Sequence, residues 1–173
     1  ACYDEGKRFA ETCVETYRQV YGIDAKTARV FNTYGPRMKL RDGLLIPDFI
    51  LHALEGKELI IYGDASLEQS LCFVSDLVDG LVRLMHAGAD TAVVNFGSQE
   101  VYKMVDVANR IIAMTNSSSQ VVFKEPLLFL SKKGTPELSR AKEELGWLPL
   151  VSLEQGLRQT IDYTIANKEE MGF

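Results

Sequence analysis

At 173 residues, 46% of them hydrophobic and 25% charged, the chain has the composition of an ordinary globular protein and the length to bury a sizeable core. Its net charge of −5 argues against nucleic acid, a partner gripped through its phosphates, and leaves room for a small anionic ligand in a local basic pocket. No apolar run approaches the roughly 20 residues needed to cross a bilayer.

The predicted elements alternate between helix and short strand. Residues 4–21 read as a helix. Asp4 and Glu5 suit its positive N-terminal end, and Phe9, Cys13, Val14, Tyr17, Val20 and Tyr21 recur at helical spacing and are expected to face inward. Gly22 stops it. Residues 25–31 read as a strand, which Asn32-Thr33-Tyr34-Gly35-Pro36-Arg37 breaks. A polar loop over 38–44 leads to a helix over 45–54, with Ile46, Phe49, Ile50 and Ala53 on one side and Pro47 tolerated in the first turn. Short strands follow at 59–62 and 71–74. Ser75 or Asp76 is expected to cap a helix over 76–87, with Leu77, Val78, Leu81, Val82 and Leu84 inward.

A strand at 92–96 ends in Gly97-Ser98. The helix over 102–115 turns Met104, Val105, Val107, Ala108, Ile111 and Ile112 inward, and 121–123 is a strand. An apolar run, Leu127-Leu128-Phe129-Leu130, and the pair Lys132-Lys133 precede a short helix over 136–145. Trp147 is expected to pack, and a final helix covers 152–167. This alternation points to an α/β fold, with helices on the faces of a parallel sheet. In such sheets ligands bind beyond the carboxyl ends of the strands, where Asn32 and Thr33 fall.

Tyr3 and Lys7 lie four residues apart, on one face of the first helix. A lysine ammonium there would favour the phenolate of a nearby tyrosine, which suits a general acid/base. Cys2, Cys13 and Cys72 lack metal-ligand spacing and His52 and His86 are isolated, so no metal site is expected. Free cysteines favour a reducing, cytoplasmic setting. The chain has no glycine-rich loop leading into a helix, and its catalytic motif stands at residue 3, where helices tend to fray. It is therefore expected to be the C-terminal part of a larger fold.

Five stretches, in order, carry a resemblance. They are Tyr3-Asp4-Glu5-Gly6-Lys7-Arg8, Ala28-Arg29-Val30-Phe31-Asn32-Thr33-Tyr34-Gly35-Pro36-Arg37-Met38, Tyr62-Gly63, Val74-Ser75-Asp76-Leu77 and Leu145-Gly146-Trp147. With them the sequence resembles the nucleotide-sugar branch of the extended short-chain dehydrogenase/reductases, and within it most of all the UDP-glucuronate decarboxylases.

The resemblance implies the C-terminal part of an NAD-binding Rossmann-like fold plus a small α/β substrate-binding domain. Residues 1–36 would end the dinucleotide-binding domain, and 37–173 would be mainly substrate-binding, with Rossmann elements returning at about 70–96. Tyr3 would be the catalytic acid/base. Lys7 would hold the nicotinamide ribose and keep the tyrosine acidic, and Thr33 would lie by the nicotinamide. Asn32, Tyr17 and Tyr62 would face the nucleotide-sugar. NAD is the implied cofactor and UDP-glucuronate the implied substrate, converted to UDP-xylose through a 4-ketone. A homodimer, or a companion chain supplying the N-terminal half, is the implied partner.

The sequence departs from the family where arginines usually stand: Leu44, Gln69 and Gly134 occupy those positions. Arginine grips phosphate bidentately, and Lys132 or Lys133 would replace it only as a point charge. A 4,6-dehydratase or epimerase therefore stays open beside the decarboxylase. So does a non-catalytic remnant that binds a nucleotide or a partner chain.

Overall fold

The computed structural model describes residues 2–126 and 134–168. The expected apolar run 127–130 and the Lys132-Lys133 pair lie outside the described residues. Six helices and eight short strands alternate among those described: α1 (Cys2–Tyr21), β1 (Thr27–Val30), β2 (Thr33–Tyr34), α2 (Leu45–Leu54), β3 (Leu59–Tyr62), β4 (Glu68–Ser70), β5 (Cys72–Phe73), α3 (Val74–His86), β6 (Val93–Phe96), β7 (Val101–Lys103), α4 (Met104–Met114), β8 (Val121–Lys124), α5 (Ser139–Leu145) and α6 (Leu153–Ala166). The fold is α/β, as expected. Strand pairs β1–β6, β2–β5 and β3–β8 run parallel, and β4–β7 is antiparallel. The expectation had no β2, β4 or β7, because two or three residues are too few for an alternating pattern to register.

Two apolar clusters form the core. The larger joins α2, α4 and α6 to β3, around Phe49, Ile50, Leu59, Ile61, Ile111 and Leu157. The expected inner faces of α2 and α4 lie in it, Val105 and Ile112 of α4 being partly buried. The smaller holds Cys72, Leu84, Val94, Phe96, Leu138, Ala141 and Trp147. β5 serves both, because side chains alternate along a strand: Phe73 enters the larger cluster and Cys72 the smaller.

Trp147 packs as expected, edge-on to Phe96 at 5.0 Å between ring centres. Gly80 on α3 makes room for both, since a Cβ there would lie 2.5 Å from the Phe96 ring. Gly146, in the left-handed region, ends α5. It lets its own amide and that of Trp147 close onto the carbonyls of Lys142 and Ala141.

Two expectations about helix faces are corrected. No described residue of α1 is buried: Phe9, Tyr17, Val20 and Tyr21 are exposed, and only Cys13 and Val14 of the expected inner set are half-buried. Periodicity identifies the apolar side of a helix, not a surface to cover it. On α3, Val78 and Val82 face outward, while Leu77, Gly80, Leu81 and Leu84 turn inward. The expected cap is corrected as well. Phe73 occupies the N-cap of α3 and makes no side-chain cap bond, because neither Ser75 nor Asp76 stands at that position.

Candidate functional site

The parallel β1–β6 pair sets the position of the predicted residues. Its ladder runs from Thr27, whose amide donates to Ala92 O at 2.8 Å, to Phe31, whose amide donates to Phe96 O at 2.9 Å. The chain then shifts to the second pair. The Cys72 amide donates to Asn32 O at 2.9 Å, and Thr33 and Tyr34 stand in register with Cys72 and Phe73. Asn32 and Thr33 therefore sit just beyond the carboxyl end of β1, half-buried. The Thr33 hydroxyl donates back to Phe31 O at 3.0 Å, which fixes its direction.

Tyr34 anchors this corner. It is fully buried, and its hydroxyl donates to Leu153 O at 3.2 Å on α6. Burial pushes its phenol well above the ordinary tyrosine range, so it remains a donor. Its ring meets Phe73 edge-on at 5.6 Å.

Tyr3 and Lys7 share one side of α1, as their spacing predicts. The Lys7 ammonium lies over the Tyr3 ring, 5.4 Å from its centre. Tyr3 is 73% exposed, so its phenol is open to a ligand. α1 is tied to β1 by polar groups. Arg29 donates twice to the Glu11 carboxylate, at 2.7 and 2.6 Å, and these bonds hold Glu11 below the ordinary carboxylate range. Arg18 donates to Ala25 O at 2.7 Å and to Ala89 O at 3.0 Å, pinning the last turn to two separate loops.

Tyr17 is on the same helix, about 21 Å along the axis from Tyr3 at 1.5 Å per residue. It is exposed, and its ring pairs with Tyr21 at 5.1 Å. Tyr62 ends β3 in register with Lys124, partly exposed on a different strand pair. The structure thus brings Tyr3 to Lys7, and Asn32 to Thr33, while Tyr17 stands far along α1 from Tyr3 and Tyr62 on another strand pair.

A cleft of about 290 Å³ opens beside Cys72, the register partner of Thr33. Ser98, Glu100 and Tyr102 line it together with Leu71 and the 148–153 segment. The Tyr102 hydroxyl donates to the Glu100 carboxylate. Burial and that bond push the Tyr102 phenol up to about 12. Sequence reasoning passed over these residues. Gly97-Ser98 was the available signal, because it closes β6 at the same end at which Asn32 closes β1. None of the predicted site residues lines the cleft. A wider shallow depression of about 420 Å³ lies among polar residues of α6, Glu154, Gln155 and Arg158.

The Tyr3 phenol and the Lys7 ammonium are donors that a ribose takes up, and the Thr33 hydroxyl, its proton given to Phe31 O, keeps lone pairs for a carboxamide N–H, so these residues fit a dinucleotide. Among the described residues no group of three or more His, Cys, Asp or Glu could hold a metal ion, and no helix is long and apolar enough to cross a membrane.

Comparison with known proteins shows what the chain is similar to. A sequence model described as GDP-mannose 4,6 dehydratase matches residues 1–160. UDP-glucuronic acid decarboxylase 3 of Arabidopsis thaliana is 43% identical over 157 residues, which are 91% of this chain and 46% of that protein. The chain therefore spans less than half the length of this curated relative. A UDP-glucose 4-epimerase from Thermotoga maritima, solved with UDP-glucose, superposes with a TM-score of 0.87 at 29% identity, covering 94% of this chain and 52% of its own. A UDP-glucuronic acid 4-epimerase from Bacillus cereus, solved with UDP-glucuronic acid and NAD, gives 0.82 at 25% identity, covering 90% and 50%.

Proposed function

The chain belongs to the GDP-mannose 4,6 dehydratase family, and from that membership we propose that it carries the acid/base and substrate-facing part of an NAD-dependent nucleotide-sugar enzyme that decarboxylates UDP-glucuronate to UDP-xylose. The observation that carries this reading is the Lys7 ammonium held over the Tyr3 ring on an open helix face. The Arabidopsis and Bacillus relatives support glucuronate as the sugar.

Tyr3 takes the proton of the sugar 4-hydroxyl, and Lys7 stabilises the phenolate and holds the nicotinamide ribose. Thr33 would lie by the nicotinamide, and Asn32, Tyr17 and Tyr62 would face the nucleotide-sugar. The redox chemistry belongs to NAD, which accepts hydride and returns it when bound. A ketone at C4 leaves the C5 carboxylate β to a carbonyl. The bond from C5 to the carboxylate breaks, carbon dioxide departs, and the electron pair forms an enolate that is protonated at C5. Tyr3 then returns its proton to the C4 oxygen as the ketone is reduced.

Residues 1–36 and about 70–96 belong, in this reading, to the dinucleotide-binding domain, and most of 37–173 to the substrate domain. The glycine-rich phosphate loop would come from outside these residues. The exposed apolar side chains of α1, Phe9, Val20 and Tyr21, support a second copy or a companion chain packing there. Three free cysteines support a reducing, cytoplasmic location.

The test is product identification. The native protein with NAD and UDP-glucuronate should yield carbon dioxide and UDP-xylose, and Tyr3→Phe should slow this by about 10³-fold. Conversion of a nucleotide-hexose to a 4-keto-6-deoxy sugar, with no decarboxylation, would instead establish a 4,6-dehydratase. Gln69, which stands on β4 opposite Tyr102 in place of the family's arginine, is the departure that keeps that second reading beside the decarboxylase.

A further inference from the structure

Asp76 is a buried carboxylate that neither helix capping nor the proposed chemistry uses. Its Oδ2 accepts two consecutive backbone amides, Leu150 N at 3.0 Å and Val151 N at 2.9 Å. Its own carbonyl accepts the Trp147 indole N–H at 2.8 Å. One residue in the first turn of α3 thus holds a segment more than 70 positions later in the chain.

That segment runs into α6 through Ser152, whose hydroxyl accepts the Gln155 amide and caps the helix. α6 in turn holds Tyr34, through the Leu153 carbonyl and through Gly156, where an added Cβ would stand 2.1 Å from the Tyr34 hydroxyl oxygen. Tyr34 directly follows Asn32 and Thr33. It is paired in register with Phe73, which leads into α3 and back to Asp76. The connections close a ring: α3, the 147–151 segment, α6, Tyr34, β5, α3.

We propose that Asp76 is a positioning residue: by clasping the 147–151 segment it seats α6 on Tyr34 and so fixes Asn32 and Thr33 at the end of β1. The proposal rests on the reading of Asn32 and Thr33 as site residues. A carboxylate suits the task because one charged oxygen takes two neighbouring amides, and bonds to an ionised acceptor are the stronger kind. Removing it leaves two amides in a partly buried turn without an acceptor, whereas asparagine keeps an oxygen in place and loses only the charge.

The experiment is amide hydrogen exchange on the full 173-residue chain for Asp76→Ala and Asp76→Asn. Val82→Gly is the reference, since it destabilises the same helix from its exposed face. The diagnostic amide is Cys72 N–H, which donates to Asn32 O and lies outside the clasp. At matched global stability, Asp76→Ala should speed exchange at Leu150, Val151 and Cys72 by about tenfold or more over Val82→Gly, and Asp76→Asn should recover most of the Cys72 protection. Equal exchange at Cys72 in Asp76→Ala and Val82→Gly would overturn the proposal.

If Asp76→Ala does not fold, Asp76→Ser takes its place and is read the same way: faster exchange at Leu150, Val151 and Cys72 than in the reference supports the clasp, and a change confined to Leu150 and Val151 refutes it. In the native protein the variant that loses the clasp should raise KM for UDP-glucuronate several-fold with kcat little changed, and Asp76→Asn should restore most of that loss. Failure of the protein to bind any nucleotide-sugar would contradict the site reading, while the exchange data would still decide the clasp.

Discussion

Cys72 and Cys2 share a functional group and differ in surroundings. Cys72 lies in the smaller core, where burial pushes its thiol up to about 12, whereas Cys2 is exposed on α1. The thiolate is the reactive form, so iodoacetamide should modify Cys2 at least about tenfold faster than Cys72. Peptide mass mapping over a time course checks this, and equal rates would contradict the burial of β5. Asp48 is perturbed in the same direction. One carboxylate oxygen, Oδ1, is buried without a hydrogen-bond partner among the described residues, and burial raises the acid's pKa above its ordinary value. A raised carboxyl binds its proton more tightly in the folded state than in the unfolded one. Its favourable contribution is therefore present below the unfolded value and lost as pH rises through the folded one. Asp48→Asn is expected to stabilise the protein at neutral pH by about 1 kcal/mol, a gain that urea melts should show shrinking toward acid pH.

At the scale of elements, the seating of α6 on β2 is the sharpest constraint. An added Cβ at Gly156 would meet Tyr34 at 2.1 Å and Phe73 at 2.8 Å, whereas at Gly88 it would meet nothing within 4 Å. Gly156→Ala should cost about 1–3 kcal/mol in thermal melts, and Gly88→Ala should be close to neutral. Equal melting of the two would show that α6 lies elsewhere. Helices α2 and α4 were legible because each buries one continuous apolar stripe against a core made by its own neighbours. α1 has an equally regular stripe, yet none of its described residues is buried, because a stripe carries no information about what packs on it. Asp76 was misread for a related reason. Its position looks local and capping, while its partners stand more than 70 residues away and leave no mark in the nearby sequence.

At the scale of the whole molecule, two apolar clusters meet at β5, and the predicted site residues lie on both sides of that junction. The sequence showed Tyr3 beside Lys7, because helix geometry alone brings them together. It also showed Asn32 and Thr33 at a strand end, because the break after Phe31 is local. It did not show the cleft beside Cys72, which arises only when β5, β7 and the 148–153 segment converge, nor that the Glu100–Tyr102 pair lines it. The central claim is that this arrangement serves an oxidation at C4, loss of carbon dioxide and a reduction at the same carbon. It is tested most directly by giving the native protein UDP-glucuronate deuterated at C4, in light water, and reading the product by NMR. UDP-xylose that keeps deuterium at C4, with a solvent-derived hydrogen at C5, is the expected result. Loss of the C4 label to water, or a 4-epimer that retains its carboxylate, would contradict it.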